Sequence, residues 1–87
     1  MILNTYFALS AQYDGRVVIP VDEVARDFFN LKPLVFLRKV ETGTIKLPII
    51  RMEASQKSAK GVDVRDLADY LDARRAEAQR EMVSLHS

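Results

Sequence analysis

Hydrophobic residues along the chain recur with helical spacing in several separate segments. Residues 5–13 predict a first helix, opened by Asn4 or Thr5 as its cap and closed by the turn dipeptide Asp14-Gly15. A short β-rich run, 16–19, leads to Pro20, which suits the first turn of a second helix over about 20–30. That helix has apolar residues at i, i+3, i+4, i+7 and i+8, namely Val21, Val24, Ala25, Phe28 and Phe29. We expect both phenylalanines in the core.

A third helix is predicted from Pro33 to about Thr42, with a stop at Gly43. Only residues 30–32 separate it from the second helix, and so short a connection is typical of a helix-turn-helix. At 100° per residue, one side of this helix carries Phe36, Leu37 and Val40. The other side carries Val35, Arg38 and Thr42, with Lys39 beside them and Lys32 at the entrance.

The pattern changes to alternation after the third helix. Residues 45–52 predict a strand, which Pro48 restricts to an edge position, and residues 61–64 predict a second extended segment. The polar residues 53–60 between them predict a β-hairpin with a long basic loop. The expected fold class is therefore α+β: a winged helix-turn-helix with an extra N-terminal helix, a short hairpin wing and a long C-terminal helix.

The last helix is predicted to begin at Asp63 or Arg65, and its buried stripe consists of Val64, Leu67, Ala68 and Leu71. Core packing should end near Leu71 or Ala73, because the stripe next meets Arg75. We therefore expect a winged helix-turn-helix domain over 1–73 and a helical extension or tail over 74–87. That segment is either a solvated, fraying extension, which its alternating charges favour, or a weak partner surface.

The first helix carries apolar residues on two faces. Ile2, Tyr6, Leu9 and Tyr13 form one stripe, and Leu3, Phe7 and Ala11 form another. Either the helix packs across the core, which we favour, or part of it forms a homodimer contact.

Composition narrows the function classes. Eighty-seven residues, 48% hydrophobic and 29% charged, fit one small domain and exclude a disordered tail. The chain has no Cys, and its one His is His86, so thiol nucleophiles, nucleophile-plus-base pairs and zinc sites are not expected. We expect no enzyme, no metal and no cofactor. No apolar run is long enough for a membrane span and no signal peptide is evident, so the expected location is the cytoplasm.

Charge is unevenly distributed, although the net charge is only +1. From Lys32 to Arg65 there are eight basic and three acidic residues, a net of +5, and the rest of the chain carries −4. Each basic feature taken singly is commonly just a solvated surface. Together, a basic segment that holds the third helix and the hairpin loop favours binding of double-stranded DNA.

Two groups of residues are candidates for DNA contact. On the third helix, placed in the major groove to select sequence, they are Lys32, Val35, Arg38, Lys39 and Thr42. On the hairpin, placed along the backbone or minor groove, they are Arg51, Ser55, Gln56, Lys57, Ser58 and Lys60. A monomer of this size contacts few base pairs, so we expect a homodimer or cooperative binding at repeated sites.

Several stretches resemble known families. Val18-Ile19-Pro20-Val21, then Leu37-Arg38-Lys39-Val40, then Asp66-Leu67-Ala68-Asp69-Tyr70-Leu71 look like the excisionase-like winged-helix group. Nearly the whole chain resembles the pyocin activator family, most specifically in Ser55-Gln56-Lys57-Ser58-Ala59-Lys60-Gly61-Val62. The turn Asn30-Leu31-Lys32-Pro33 departs from the generic pattern, because it lacks the usual Ser or Thr cap.

This resemblance implies a bacterial or prophage transcription activator that binds promoter elements of bacteriocin or phage-derived operons. It places the recognition helix at 33–42 and the wing at 53–60. Such a protein acts through self-association or through a recruited partner such as the transcription machinery. Two alternatives stay open: an excisionase-like architectural factor that bends DNA, and an interaction adaptor that uses the first helix.

Overall fold

The computed structural model describes residues 4–55 and 57–86. Over these residues the chain folds as α+β, with four helices and one three-stranded antiparallel sheet, so the predicted class is confirmed. The elements are α1 (Thr5–Gln12), β1 (Val18–Pro20), α2 (Val21–Val24, continued by a π-helical turn over Ala25–Phe29), α3 (Pro33–Glu41), β2 (Ile50–Arg51), β3 (Lys60–Asp63) and α4 (Val64–His86).

Helix α1 begins and ends where the sequence predicts. The Asn4 side chain accepts a hydrogen bond from the backbone N–H of Tyr6 at 2.8 Å, so Asn4 is the cap. Asp14 and Gly15 adopt left-handed backbone conformations, with φ of 55° and 77°, which end the helix. Of the two predicted stripes, the one with Leu9 and Tyr13 is buried, whereas Phe7 and Ala11 are exposed. Ile2 and Leu3 lie outside the described residues.

The second predicted helix is helical throughout, but its latter half differs from the prediction. Residues 25–29 form a π-helical turn, in which i→i+5 hydrogen bonding fits an extra residue into the turn. Residues within the turn, Phe28 and Phe29 among them, therefore depart from the 100° spacing. Phe28 and Phe29 pack against the core but are only half-buried, which corrects the expectation that they lie inside it. Asn30, with φ of 52°, ends the turn.

Helix α3 follows after residues 30–32. Pro33 occupies the first turn, where its missing N–H is not needed, and Lys32 supplies no side-chain cap. Phe36 is fully buried, and Leu37 and Val40 are half-buried beside it, as the helical spacing predicts. The helix ends at Glu41.

The sheet has the order β1-β3-β2, with β3 in the centre and antiparallel to both neighbours. Strand β2 covers only 50–51, so the predicted strand over 45–52 is wrong for 45–49. Ile50 lies opposite Gly61, and continuing that register would place Pro48 opposite Asp63. Pro48 has no N–H to donate, so the ladder stops. The predicted alternation nevertheless holds, because Ile45 and Leu47 are buried whereas Lys46 and Pro48 are exposed.

Helix α4 has 23 residues and runs well beyond the core. Val64, Leu67 and Ala68 are buried, Leu71 is half-buried, and exposure begins at about Ala73 as predicted. The hydroxyl of Thr5 donates to the Asp72 carboxylate at 2.6 Å and ties α1 to α4. Among residues 4–55 and 57–86, no helix combines the length and apolarity that a membrane span requires.

The core consists of buried side chains from all four helices, from β1 and β3, and from the segment that precedes β2. Its largest fully buried side chains are Phe36, Ile19, Leu67, Val24, Val62 and Val64. Each such side chain stabilises the fold by roughly 1.5–3 kcal/mol relative to an exposed one. Phe36 therefore fixes α3 on the core and sets which of its faces solvent can reach.

Candidate nucleic-acid interface

Helix α3 exposes most of the side chains predicted to contact DNA. Lys32, Arg38, Lys39 and Thr42 are exposed, whereas Val35 is half-buried. The Thr42 hydroxyl donates to the Lys39 carbonyl at 3.2 Å and lies 3.1 Å from the Thr44 hydroxyl. Thr42 therefore stabilises the C-terminal end of α3. Among the predicted polar residues of this helix, the cations Lys32, Arg38 and Lys39 are the most accessible.

A groove runs between α3 and the chain segment that follows it. Arg38 of α3, Arg51 of β2 and Lys60 of β3 line this groove together. These three residues are far apart in the sequence, and the antiparallel pairing of Arg51 with Lys60 brings the two hairpin cations side by side. The fold thus gathers predicted residues from the helix and the hairpin into one surface, which we call the basic groove.

The basic groove also contains residues that the sequence prediction missed. Leu34 and Glu41 line it, together with half-buried Leu37 and Val40. Leu34 is 75% exposed, which is high for a leucine on a helix that packs against a core. Leu34, Arg38 and Glu41 stand at i, i+4 and i+7, a spacing that puts them on one helix face but does not show that a distant segment forms a groove along that face.

The hairpin loop is held by its own hydrogen bonds. The backbone N–H of Met52 donates to the Ala59 carbonyl at 3.1 Å and extends the β2–β3 pairing into the loop. The Ser58 hydroxyl donates to the Glu53 carbonyl at 3.0 Å, and the Ser55 hydroxyl accepts from the backbone N–H of Lys57 at 3.1 Å. The two predicted serines therefore shape the loop.

Lys57 remains exposed at the tip of this loop. Its predicted neighbour Gln56 lies outside the described residues. A lysine there is a point charge on a flexible stem, which suits contact with a phosphate more than selection of a base.

Carboxylates neutralise arginines mainly outside the basic groove. Among the described residues, the ion pairs join Arg16 to Glu23, Arg26 to Asp27, Arg65 to Asp63 and Arg80 to Glu77. The Asp63 carboxylate thereby neutralises Arg65, one of the eight basic residues counted between Lys32 and Arg65. The hydrogen bonds from Arg65 hold the pKa of Asp63 below its usual value. The predicted cations Lys32, Arg38, Lys39, Arg51 and Lys57 form no ion pair within residues 4–55 and 57–86.

Two polar contacts fix the framework behind α3. The Tyr13 hydroxyl donates to Asp27 at 2.7 Å, which lowers the pKa of that carboxylate. Burial, together with this hydrogen bond, raises the pKa of the Tyr13 phenol. Arg16 and Glu23 form two parallel hydrogen bonds of 3.0 Å. Both contacts join the first helix or the turn after it to α2 and its π-helical turn, and α3 packs against that turn.

Comparison with known proteins bears on this surface. The family model described as Pyocin activator protein PrtN matches residues 5–78, which is most of the chain. The chain belongs to the pyocin activator family. The resemblance predicted from the sequence is thereby confirmed. No curated protein and no solved structure gives a significant match.

Membership of the pyocin activator family identifies a regulator of pyocin genes, and the family description names no catalytic activity. The matched residues include the whole basic groove and the hairpin loop. They end within α4, eight residues before the helix does. The pyocin activator match therefore covers every residue predicted to contact DNA.

Proposed function

We propose that this protein is a sequence-specific DNA-binding activator of bacteriocin or prophage-derived genes. In this proposal the chain is a winged helix-turn-helix: α3 enters the major groove and the loop between β2 and β3 is the wing. The wing follows the phosphate backbone or the minor groove. Double-stranded promoter DNA is the partner, and the protein binds it as a homodimer that contacts or recruits the transcription machinery in the cytoplasm.

The convergence of Arg38, Arg51 and Lys60 on one groove is the observation that carries this proposal. Three elements contribute one cation each, so the positive charge is spread along the groove and attracts a polyanion over an extended surface. Arg38 and Arg51 form no ion pair with a described carboxylate, which leaves their guanidinium groups able to bind phosphates or base edges.

The dimensions of α3 suit a DNA groove. An α-helix such as α3, with nine residues, is about 10–12 Å in diameter with its side chains. The major groove is about 12 Å wide and admits one α-helix. Lys57 extends from the hairpin beside this helix, where a flexible ammonium group can reach the backbone next to the groove.

Salt-dependent DNA binding tests the proposal. The affinity of the full chain for a pyocin promoter fragment is measured by fluorescence anisotropy across a range of salt concentrations. Each phosphate contact contributes about −0.9 to the slope of log K against log salt, so we expect Lys57→Ala to make the slope shallower by about 0.9 on any duplex. Arg38→Ala should weaken promoter binding more than binding to an unrelated duplex, because a good base contact discriminates by about 1–3 kcal/mol.

Arg75→Ala is the matched control, since Arg75 is an exposed arginine on α4 that does not line the groove. It should leave both affinity and slope unchanged. Absence of salt-sensitive binding by the wild-type chain would overturn the proposal, and so would equal losses in Arg75→Ala and Arg38→Ala. Transcription from the same promoter in a reconstituted system tests the activator role; DNA binding and bending without any effect on transcript level would point instead to an architectural factor.

A further inference from the structure

Leu34, Arg38 and Glu41 form a stripe along α3 at the basic groove, and this stripe combines three different chemistries. Resting on the DNA-binding function proposed above, we infer that these three residues are the base-reading set of the protein. Leu34 contacts a thymine methyl group, Arg38 pairs with guanine, and Glu41 accepts from the amino group of cytosine. Their spacing of four and three residues places them one above another along the helix.

Among the described residues, Leu34 belongs neither to the hydrophobic core nor to the side chains packed against it. It is 75% exposed, while Phe36, two residues further on, is completely buried. A large apolar side chain exposed between cations is unfavourable in water and becomes favourable against an apolar group. In the major groove of DNA, the apolar group that distinguishes one base is the thymine C5-methyl.

Glu41 is the second unexpected member. A carboxylate in a groove that binds phosphates lowers the affinity for any duplex. Glu41 is exposed and forms no ion pair with a described residue, so its charge is not used within the fold. Glutamate accepts from cytosine N4 in the major groove, which gives a carboxylate at this place a selective use.

Two of the other predicted residues on α3, Val35 and Thr42, are less available for this task. Val35 is half-buried. The Thr42 hydroxyl is engaged with the Lys39 carbonyl and with Thr44 at the end of the helix. The basic groove is thus lined by the side of α3 that carries Leu34, Arg38 and Glu41. Of these three residues, only Arg38 also belongs to the face predicted from the sequence.

Selection from random duplex DNA with the full chain tests the base-reading set. Wild-type protein, Leu34→Ala and Glu41→Gln are each used to enrich sequences at one fixed salt concentration. We expect Leu34→Ala to lose the preference for thymine at one position and to keep the others. Glu41→Gln should lose a preference for cytosine and bind an unrelated duplex more tightly, an effect that mere unfolding cannot produce.

Replacing the selected thymine by deoxyuridine then isolates the methyl group. Burial of one methyl is worth roughly a fourfold change in affinity, so wild-type binding should weaken by about that factor, whereas binding by Leu34→Ala should not change. Leu85→Ala and Glu81→Gln are matched controls, because both residues are exposed on the far part of α4. They should reproduce the wild-type preferences.

The result that overturns the inference is specific. Leu34 does not read thymine if the wild-type chain binds DNA with salt sensitivity but binds the deoxyuridine duplex equally well. The same conclusion follows if Leu34→Ala keeps the sensitivity to deoxyuridine. An unchanged cytosine preference in Glu41→Gln removes Glu41 from the set. Failure of the proposed function itself looks different, because then no sequence is enriched and no salt-sensitive binding occurs.

Discussion

Asp63 connects the sheet to the last helix through a single carboxylate. It is the final residue of β3, lies opposite Val18 and is only 7% exposed. Its carboxylate accepts from the backbone N–H of Arg65 at 2.8 Å, and from Nε and Nη2 of the same residue at 3.0 and 2.7 Å. The predicted cap of the helix is therefore confirmed, and the same side chain also carries an ion pair.

Asp63→Asn should reduce stability in a pH-dependent way. Hydrogen bonds from Arg65 lower the pKa of Asp63, so its contribution is present above the unfolded-state pKa and is lost as the pH falls through the folded-state value. Near neutral pH we expect a loss of about 0.5–1 kcal/mol in the free energy of unfolding, because asparagine can still cap the helix but cannot form the ion pair with the exposed Arg65 side chain. Urea titrations at several pH values measure it, and the difference from wild type should shrink below about pH 4. A difference that is constant with pH, or an equal effect of Asp69→Asn, would contradict this account.

Individual cations could be predicted from the sequence, but the groove face of α3 could not. Charge counting identified Arg38 and Arg51, and the structure brings both to one groove. Leu34 and Glu41 were missed because a helical wheel shows which residues share a face, not which face a distant segment will cover. The segment with Leu47 packs beside that side of α3, and nothing local in the helix encodes this.

At the level of elements, agreement with the sequence depends on how local the determinant is. Helix α1 and the start of α4 have their own caps, Asn4 and Asp63, and both were predicted closely. The π-helical turn over Ala25–Phe29 was not, because periodicity assumes a constant 100° per residue. The predicted strand over 45–52 is too long for a related reason. Alternation reports only that one side is buried, whereas a strand also needs a partner strand for its backbone hydrogen bonds.

The central strand contains one position where only glycine fits. A Cβ atom on Gly61 would lie 2.5 Å from Cγ1 of Val18 and 3.0 Å from the carbonyl oxygen of Ile19. We expect Gly61→Ala to destabilise the protein by about 1–3 kcal/mol, because β1 must move away from β3 to admit a methyl group. Urea unfolding followed by circular dichroism measures the loss.

Adding Val18→Ala is the matched control for Gly61→Ala, since it removes the Cγ1 atom that would be struck. The double variant should lose less stability than the two single losses added together, because the residues are in contact. Simple additivity, or a Gly61→Ala chain as stable as wild type, would show that the strands have room there.

Considered as a whole, the molecule separates its basic groove from most of its ion-paired carboxylates and from the exposed apolar group of α1. The basic groove lies between α3 and the hairpin, whereas most of the ion-paired carboxylates lie on other elements. The principal extents of 50 × 31 × 19 Å reflect an elongated body to which the 23-residue α4 contributes. Phe7, on α1, is 69% exposed and does not line the basic groove, so a contact through α1 would leave the groove free for DNA.

Self-association through α1 is the property of the whole molecule that this arrangement predicts. Phe7→Ser should lower the dimer fraction in sedimentation velocity over a concentration series, because it removes the largest exposed apolar group of α1, and should leave the circular dichroism spectrum unchanged. Leu85→Ser is the matched control, since Leu85 is 80% exposed on the end of α4. A wild-type chain that stays monomeric at every concentration, or a Leu85→Ser chain that loses the dimer equally, would exclude α1 as the contact.

If α1 is the contact, Phe7→Ser should also abolish cooperative binding at paired DNA sites while single-site affinity persists, because the basic groove is untouched.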